Sequence, residues 1–231
     1  MGSAATGLPP SREFVRLYHL CRAAHAQSNI RNRRLKIARF SEVNDPFELM
    51  SLDFRESRVR TAVKEYRSEL NSREGLLCFS EDWTSPMLWS YYAESHRGVC
   101  LGFNVKREAV EKVLYEDTRI KAELDDETGS PVALSPGQKD ALRCTKCHEW
   151  SYEQERRRFV KLVDAQTDAG KYFWPFDPTL QLAEVILGPR CELDLQSLRG
   201  EVLQVYPNAN VFSARLAWQH FKVVPWETSV P

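Results

Sequence analysis

The sequence predicts an α+β fold in one domain, and three observations carry that expectation. About seven or eight short apolar segments read as strands, they are interspersed with helices in irregular order, and no regular strand-helix-strand alternation runs through the chain. The 231 residues also fit one large domain, which should bury roughly 70% of the surface its unfolded chain exposes.

The elements follow in order. Residues 1–12 read as a flexible lead-in, small and Gly/Pro-containing to Pro10, ahead of a single domain over 13–231. Phe14 to Leu20 is a compact apolar run suited to a buried strand. The polar stretch Arg22 to Arg34 predicts a helix, and Leu35 to Phe40 resumes an extended pattern. Ser41 to Pro46 is a turn, since Pro46 disfavours helical geometry at Asp45. Val59, Val63, Tyr66 and Leu70 recur at helical spacing, with Gly75 as the stop. Gly75 to Ser80 reads as a strand. Ser85-Pro86 then looks like an N-cap with proline at the first helical position, opening an aromatic helix that runs out near His96.

Val99 to Val105 is an apolar strand and Lys106 to Tyr115 a predicted helix. Residues 125–139, with Pro131, Pro136 and several acids, read as a loop or insertion. Trp150 to Val163 and Ala183 to Leu187 read as strands, Leu195 to Val205 as an amphipathic helix, and Phe221 to Trp226 as an edge strand because of Pro225. Asn210 to Ala214 is too short to assign.

Composition narrows the function. The 32 basic residues cancel 32 acidic ones, which removes the uniform attraction that dominates non-specific nucleic-acid binding, although Arg31 to Arg39 form a local basic cluster. No apolar run approaches the roughly 20 residues that span a bilayer, so no membrane partner is expected. Six cysteines at irregular spacing without an export signal point to reduced thiols and a cytoplasmic location. Cys144-x-x-Cys147-His148 is half a zinc site, and its resemblance to a haem-attachment sequence needs an exported protein; two ordinary thiols are the better reading, and no metal is expected. The chain has no phosphate-cradling glycine loop and no Gly-x-Ser-x-Gly elbow.

Three segments set polar groups beside aromatics where a plain core would use aliphatics: Leu17-Tyr-His19, Cys78-Phe-Ser80 with the Trp89 to Tyr92 helix, and Tyr152-Glu-Gln-Glu155. The bland alternative is satisfied core tyrosines and a solvated strand start.

Read in order, Asn44-Asp-Pro-Phe-Glu48, Leu77-Cys-Phe-Ser80, the long run Met87 to Phe103, Trp150 to Arg156 and Val185-Ile-Leu-Gly188 resemble the bacterial domain-of-unknown-function 2971 family. More distantly, a first strand ending Tyr-His, a strand ending Phe-Ser before a tyrosine-bearing helix, and a late glutamate resemble the His-Tyr-Glu layout of ADP-ribosyltransferases. That resemblance implies mixed short-stranded sheets pinched around a cleft with peripheral helices. It also implies cleavage of NAD, as substrate, at nicotinamide, with ADP-ribose passed to an unknown macromolecular acceptor, protein or nucleic acid, or to water.

Residue by residue, it implies Glu155 or Glu153 near the reacting ribose and His19 on the adenosine-side ribose. Ser80 and Tyr91 or Tyr92 fall on the nicotinamide side, with Tyr18 and Trp89 as further nucleotide-binding candidates; most of the Arg31 to Arg39 cluster reads as a solvated helix face, with Arg39 alone the candidate for the pyrophosphate. A fixed carboxylate suits that chemistry, because oxocarbenium character develops on the ribose as the bond breaks. The chain departs from the pattern where Ser80 is followed by Glu81 and Asp82. Two other readings stand beside this one. The first is a non-catalytic nucleotide- or partner-binding module of a phage-defence or toxin-antitoxin system. The second is a nuclease using Asp45, Glu48, Glu153 and Glu155 with Mg²⁺. The oligomeric state is not legible.

Overall fold

A computed structural model describes residues 10–122 and 133–226. In chain order the main elements are β1 (Phe14–Cys21), α1 (Ala23–Asn32), β2 (Arg34–Lys36), α2 (Ser57–Arg73), β3 (Glu74–Ser80), α3 (Pro86–Tyr92) and β4 (Val99–Lys106). There follow β5 (Glu111–Lys112), β6 (Leu114–Glu116), α4 (Pro136–Cys144), β7 (Thr145–Cys147), β8 (Glu155–Lys161), β9 (Gln166–Asp168) and β10 (Lys171–Pro175). The chain finishes with β11 (Leu180–Leu187), α5 (Leu195–Val205), β12 (Asn210–Leu216) and β13 (Val223–Pro225). The architecture is mixed α+β around one curled sheet of eight strands, ordered β13-β12-β11-β4-β1-β3-β8-β5.

Position in that order explains composition. Strand β4 lies inside the sheet and is buried on both faces, so Val99 to Phe103 is continuously apolar rather than alternating. Leu17 on β1, Leu101 and Phe103 on β4 and Val185 on β11 pack on one face against Ala26 and Ile30 of α1 and Leu198 and Val202 of α5. Leu20, Cys100 and Ile186 occupy the other face with Leu88 and Trp89 of α3. A third cluster joins Leu76 of β3 to Val59, Val63 and Leu70 of α2 and Leu142 of α4. Each fully buried Val, Leu, Ile or Phe among them contributes roughly 1.5–3 kcal/mol relative to an exposed one.

At the centre of the sheet, long ladders flank one short seam. β1 pairs with β4 over eight positions, and β3 with β8 over seven, but the register between β1 and β3 consists of Tyr18 opposite Ser80. Directly opposed residues share a pleat face, so one row crosses five strands: Glu184, Gly102, Tyr18, Ser80 and Glu155. Gly102 is needed there, because an added Cβ would lie 2.9 Å from the Glu184 Cβ and 3.2 Å from a Tyr18 ring carbon.

Several expectations are corrected. The predicted helix over Lys106 to Tyr115 is a single 3₁₀ turn, Arg107–Ala109, followed by β5 and β6. Its Val110 and Val113 fit helical spacing, but backbone pairing with β8 and β7 overrides that local pattern. Part of the predicted 125–139 loop lies outside the described residues; from Pro136 it is α4, started by a capping box between Ser135 and Gln138. The aromatic helix ends at Tyr92, well before His96, in a left-handed run at Glu94, Ser95 and His96. Ser85 stands at its N-cap with Pro86 behind it, yet makes no capping hydrogen bond.

Gly75 is not a stop, since α2 passes directly into β3. Its glycine is required because a Cβ would lie 2.3 Å from the Ile37 Cγ2. The Trp150 to Val163 segment divides into a 3₁₀ helix, His148–Glu153, then β8, then a 3₁₀ turn at Leu162–Asp164. Gln166 to Pro175 forms the unforeseen hairpin β9–β10, which pairs with β2. Pro225 does lie on the outermost strand of the sheet. Among the described residues no helix is long and apolar enough to cross a membrane.

Candidate functional site

The seam between β1 and β3 opens into a cavity of about 120 Å³ where the second and third core clusters meet. Its wall includes Tyr18, Ser80, Tyr92, Lys146, Glu153 and Glu155. A cavity of roughly 150 Å³ admits a benzene ring, so this one is on the scale of a single flat ring.

Its floor is ionic. Gln154 is left-handed (φ 44°) between the 3₁₀ helix and β8, and that reversal lets the glutamates on either side grip one ammonium. Lys146 Nζ donates to Glu153 Oε2 at 2.6 Å and lies 2.8 Å from Glu155 Oε2. Two residues along the strand, and therefore on the same face, Arg157 donates to both oxygens of Glu155 at 3.0 and 3.2 Å. The same guanidinium makes a bidentate pair with Glu48 at 2.7 and 2.8 Å and donates to the Arg143 carbonyl at 2.6 Å. Tyr92 donates its hydroxyl to Glu153 Oε1 and accepts from Asn44 Nδ2 at 2.8 Å. All five charged groups are buried.

The electrostatics follow from that burial. Desolvation raises Glu153 above the usual carboxylate range, the neighbouring charge of Glu155 adds to the rise, and Lys146 offsets only part of it. Desolvation would raise Glu155 too, but Arg157 and Lys146 overcome it and hold that carboxyl low. For Lys146, burial alone would favour the neutral amine; Glu155 and Glu153 reverse this, so the ammonium stays charged. The network sets three carboxyl groups, Glu48, Glu153 and Glu155, against two cations, Lys146 and Arg157: one acid in excess.

The sequence-predicted residues sort as follows. Tyr18, His19, Ser80, Tyr92, Glu153 and Glu155 all line the cavity. His19 nevertheless sits one residue off the shared row, so the pleat turns it away from Glu155, and its Nδ1 lies 3.1 Å from the Cys78 carbonyl oxygen. Ser80 spends its hydroxyl locally, donating to the Asp82 carbonyl and accepting from the Asp82 amide. Three residues lie elsewhere. Trp89 is fully buried and donates to the Trp83 carbonyl at 2.6 Å. Tyr91 is 65% exposed outside the cavity. Arg39 donates to the Asn71 carbonyl, with its guanidinium 5.6 Å from the Tyr172 ring.

Sequence reasoning missed Lys146, Arg157 and Asn44. The alternation of Glu155 and Arg157 was a readable signal, whereas Lys146 stands between the two thiols that drew attention to that segment. Cys144 donates to Glu111 Oε2 at 3.2 Å, and burial and that acid push its thiol up to about 12. Among the described residues no three His, Cys, Asp or Glu side chains are grouped to hold a metal ion.

Fold and site together define an α+β protein with a ring-sized, acid-rich cavity at an open sheet seam. No protein-family model matches this chain, and no curated protein or solved structure matches it either.

Proposed function

We propose that the cavity takes the flat, cationic ring of a nicotinamide nucleotide and that the protein cleaves that ring from its ribose. The chain would thus act as an ADP-ribosyltransferase-like member of the domain-of-unknown-function 2971 family. The supporting observation is the excess acid in a cavity of single-ring size: a pyridinium, or the oxocarbenium ion that replaces it, supplies the missing positive charge. As the glycosidic bond breaks, its electron pair leaves with the nicotinamide nitrogen and the positive charge passes to the ribose. The acceptor, water or a macromolecular nucleophile, then bonds to the anomeric carbon and gives up its proton.

Glu153 suits that proton. Desolvation raises its carboxyl above its ordinary value, which strengthens it as a base, and it faces the cavity beside Tyr92. Glu155, clamped by two cations, serves as the residue that positions Lys146 and Arg157. The test is nicotinamide release from NAD, with folding followed by circular dichroism. A folded Glu153→Gln protein that retains full turnover removes the general-base role, and a wild-type protein that neither binds nor cleaves NAD removes the whole reading.

A second reading, the non-catalytic binding module, draws on a different observation. Every oxygen of Glu153 and Glu155 already accepts a hydrogen bond or ion pair within the chain. Calorimetric binding of NAD without nicotinamide release would select it. The nuclease reading is weakened by Arg157, whose guanidinium stands between Glu48 and Glu155 where their shared metal would have to sit.

A further inference from the structure

The two most exposed large apolar side chains among the described residues share one tip. Phe221 is 98% and Trp218 90% exposed in the loop joining β12 to β13, and Leu216, where that loop begins, is half-exposed. Single exposed apolar residues are ordinary, but a group of them marks a surface that something else covers. The loop is firmly built. Its Ala217 amide donates to the Lys222 carbonyl at 2.9 Å, and the Lys222 amide to the His220 carbonyl at 2.8 Å. Below it Val223 is fully buried, its amide donating to the Thr84 carbonyl at 2.8 Å, while Lys222 Nζ donates to Thr84 Oγ1 at 3.0 Å. The fold therefore holds two large rings out in water on a braced hairpin. Charge accompanies them: residues 214–226 contain Arg215 and Lys222 and neither Asp nor Glu. Asp82, 3.5 Å from Lys222, offsets one of these charges, whereas the Arg215 guanidinium lies 4.6 Å from the Trp218 ring centroid.

We infer that this tip docks the protein on the surface of an anionic lipid bilayer, with Trp218 and Phe221 sunk among the headgroups and Arg215 against a lipid phosphate. The inference is independent of what the cavity binds. Tryptophan is suited to that depth because its ring is apolar at one end and carries an N–H at the other, and a basic residue beside it is drawn to negative lipid. The expectation of no membrane partner rested on the lack of a long apolar run, a criterion that a wedge of two side chains does not have to meet. A second copy of the chain fits the tip less well. A two-fold contact would set Arg215 and Lys222 against their own counterparts, since such a contact meets itself. The two rings offer roughly 300–500 Å², short of the about 800 Å² per partner in a stable protein interface. Extension of the sheet past β13 is hindered by Pro225, which has no amide hydrogen to donate.

The experiment floats the full chain with vesicles of phosphatidylcholine alone and with vesicles in which about a third of the lipid is phosphatidylglycerol, an anionic headgroup. Circular dichroism follows folding. The wild type is expected to bind the anionic vesicles at least about fivefold more tightly than the neutral ones, and less tightly as salt rises. Trp218→Ala combined with Phe221→Ala is expected to lower that affinity by about tenfold or more, and Arg215→Gln to remove most of the preference for anionic lipid. Trp218→Phe keeps the binding and loses most of the blue shift in tryptophan emission that insertion produces. Val163→Ala, an 86% exposed apolar residue of the turn after β8, is the control and binds as the wild type does. Failure to bind either vesicle overturns the proposal, as does binding that the double variant leaves unchanged. Equal affinity for the two vesicles overturns the choice of an anionic surface. A concentration-dependent dimer in sedimentation that the double variant abolishes overturns the proposal in favour of a contact between copies.

Discussion

Glu184 and Glu155 stand at opposite ends of the same cross-strand row, and both are buried carboxylates that meet an arginine, yet their surroundings differ. At the Glu184 end, Arg16 pairs with the acid and donates to Asn104 at 2.8 Å, so one acid meets one base. At the Glu155 end, three carboxyl groups share two cations beside an open cavity. A balanced pair is a sufficient device for holding strands in register. The unbalanced end is where the proposed cationic ring would supply the missing charge, which separates scaffold from proposed site.

The largest effect is expected at the crowded end. Arg157→Met leaves Glu48 and Glu155 buried without their shared guanidinium, and removing one partner of a buried pair costs about 3–5 kcal/mol; urea unfolding at pH 7 measures it. At the balanced end the double change Arg16→Met with Glu184→Leu removes both partners. That change is expected to stay within about 2 kcal/mol of wild type and to leave the proposed nucleotide binding unaffected. A loss as large as that of Arg157→Met would erase the distinction between the two ends.

The acids themselves sharpen it. Glu155 has its folded value depressed by Arg157 and Lys146 despite burial. Its stabilisation is therefore present above the unfolded carboxylate value, near pH 4.3, and is lost as pH falls through the lower folded one. Glu153 is raised by burial, so its contribution has the opposite sign: favourable at low pH and lost as pH rises through its folded value. At pH 7 Glu155→Gln should destabilise by about 2 kcal/mol, and Glu153→Gln by clearly less. Equal losses at neutral pH would show that the two carboxyl groups are not divided in this way. Binding of a cationic ring should also favour ionised Glu153 and release protons, which calorimetry detects as a dependence of the binding heat on buffer.

Smaller effects test the row between the two ends. Gly102→Ala forces a methyl within 3.0 Å of the Glu184 carboxylate and should cost about 1–3 kcal/mol in thermal unfolding. Gln154→Gly, at a left-handed position, should change stability by less than about 1 kcal/mol, whereas Gln154→Val should lower it by more.

How far the sequence carried can be read from particular residues. β1, β3, β4 and β11 were legible because each is apolar over most of its length and bounded by polar or turn residues. β5 and β6 were not, because Val110, Val113 and Leu114 also satisfy helical spacing and only their distant partners decide. At the site, Tyr92, Glu153 and Glu155 were named from their setting among aromatics. Lys146 and Arg157 became visible only through pairings across the fold, since Glu48 and Arg157 are 109 residues apart. His19 illustrates a one-residue limit: a Tyr-His dipeptide at a strand end does not reveal which of the two shares a face with a glutamate two strands away.

The left-handed turn at Glu94, Ser95 and His96 costs backbone energy. It is anchored on both sides: the His96 amide donates back to the Trp89 carbonyl of α3 at 3.1 Å, and the His96 carbonyl accepts from the Arg190 amide at 3.0 Å. The helix that carries Tyr91 and Tyr92 is thereby latched at its far end to the loop after β11, which descends from Glu184. Loosening that latch would let two tyrosines drift without touching either of them, so changes around residue 95 reach the cavity wall from a distance.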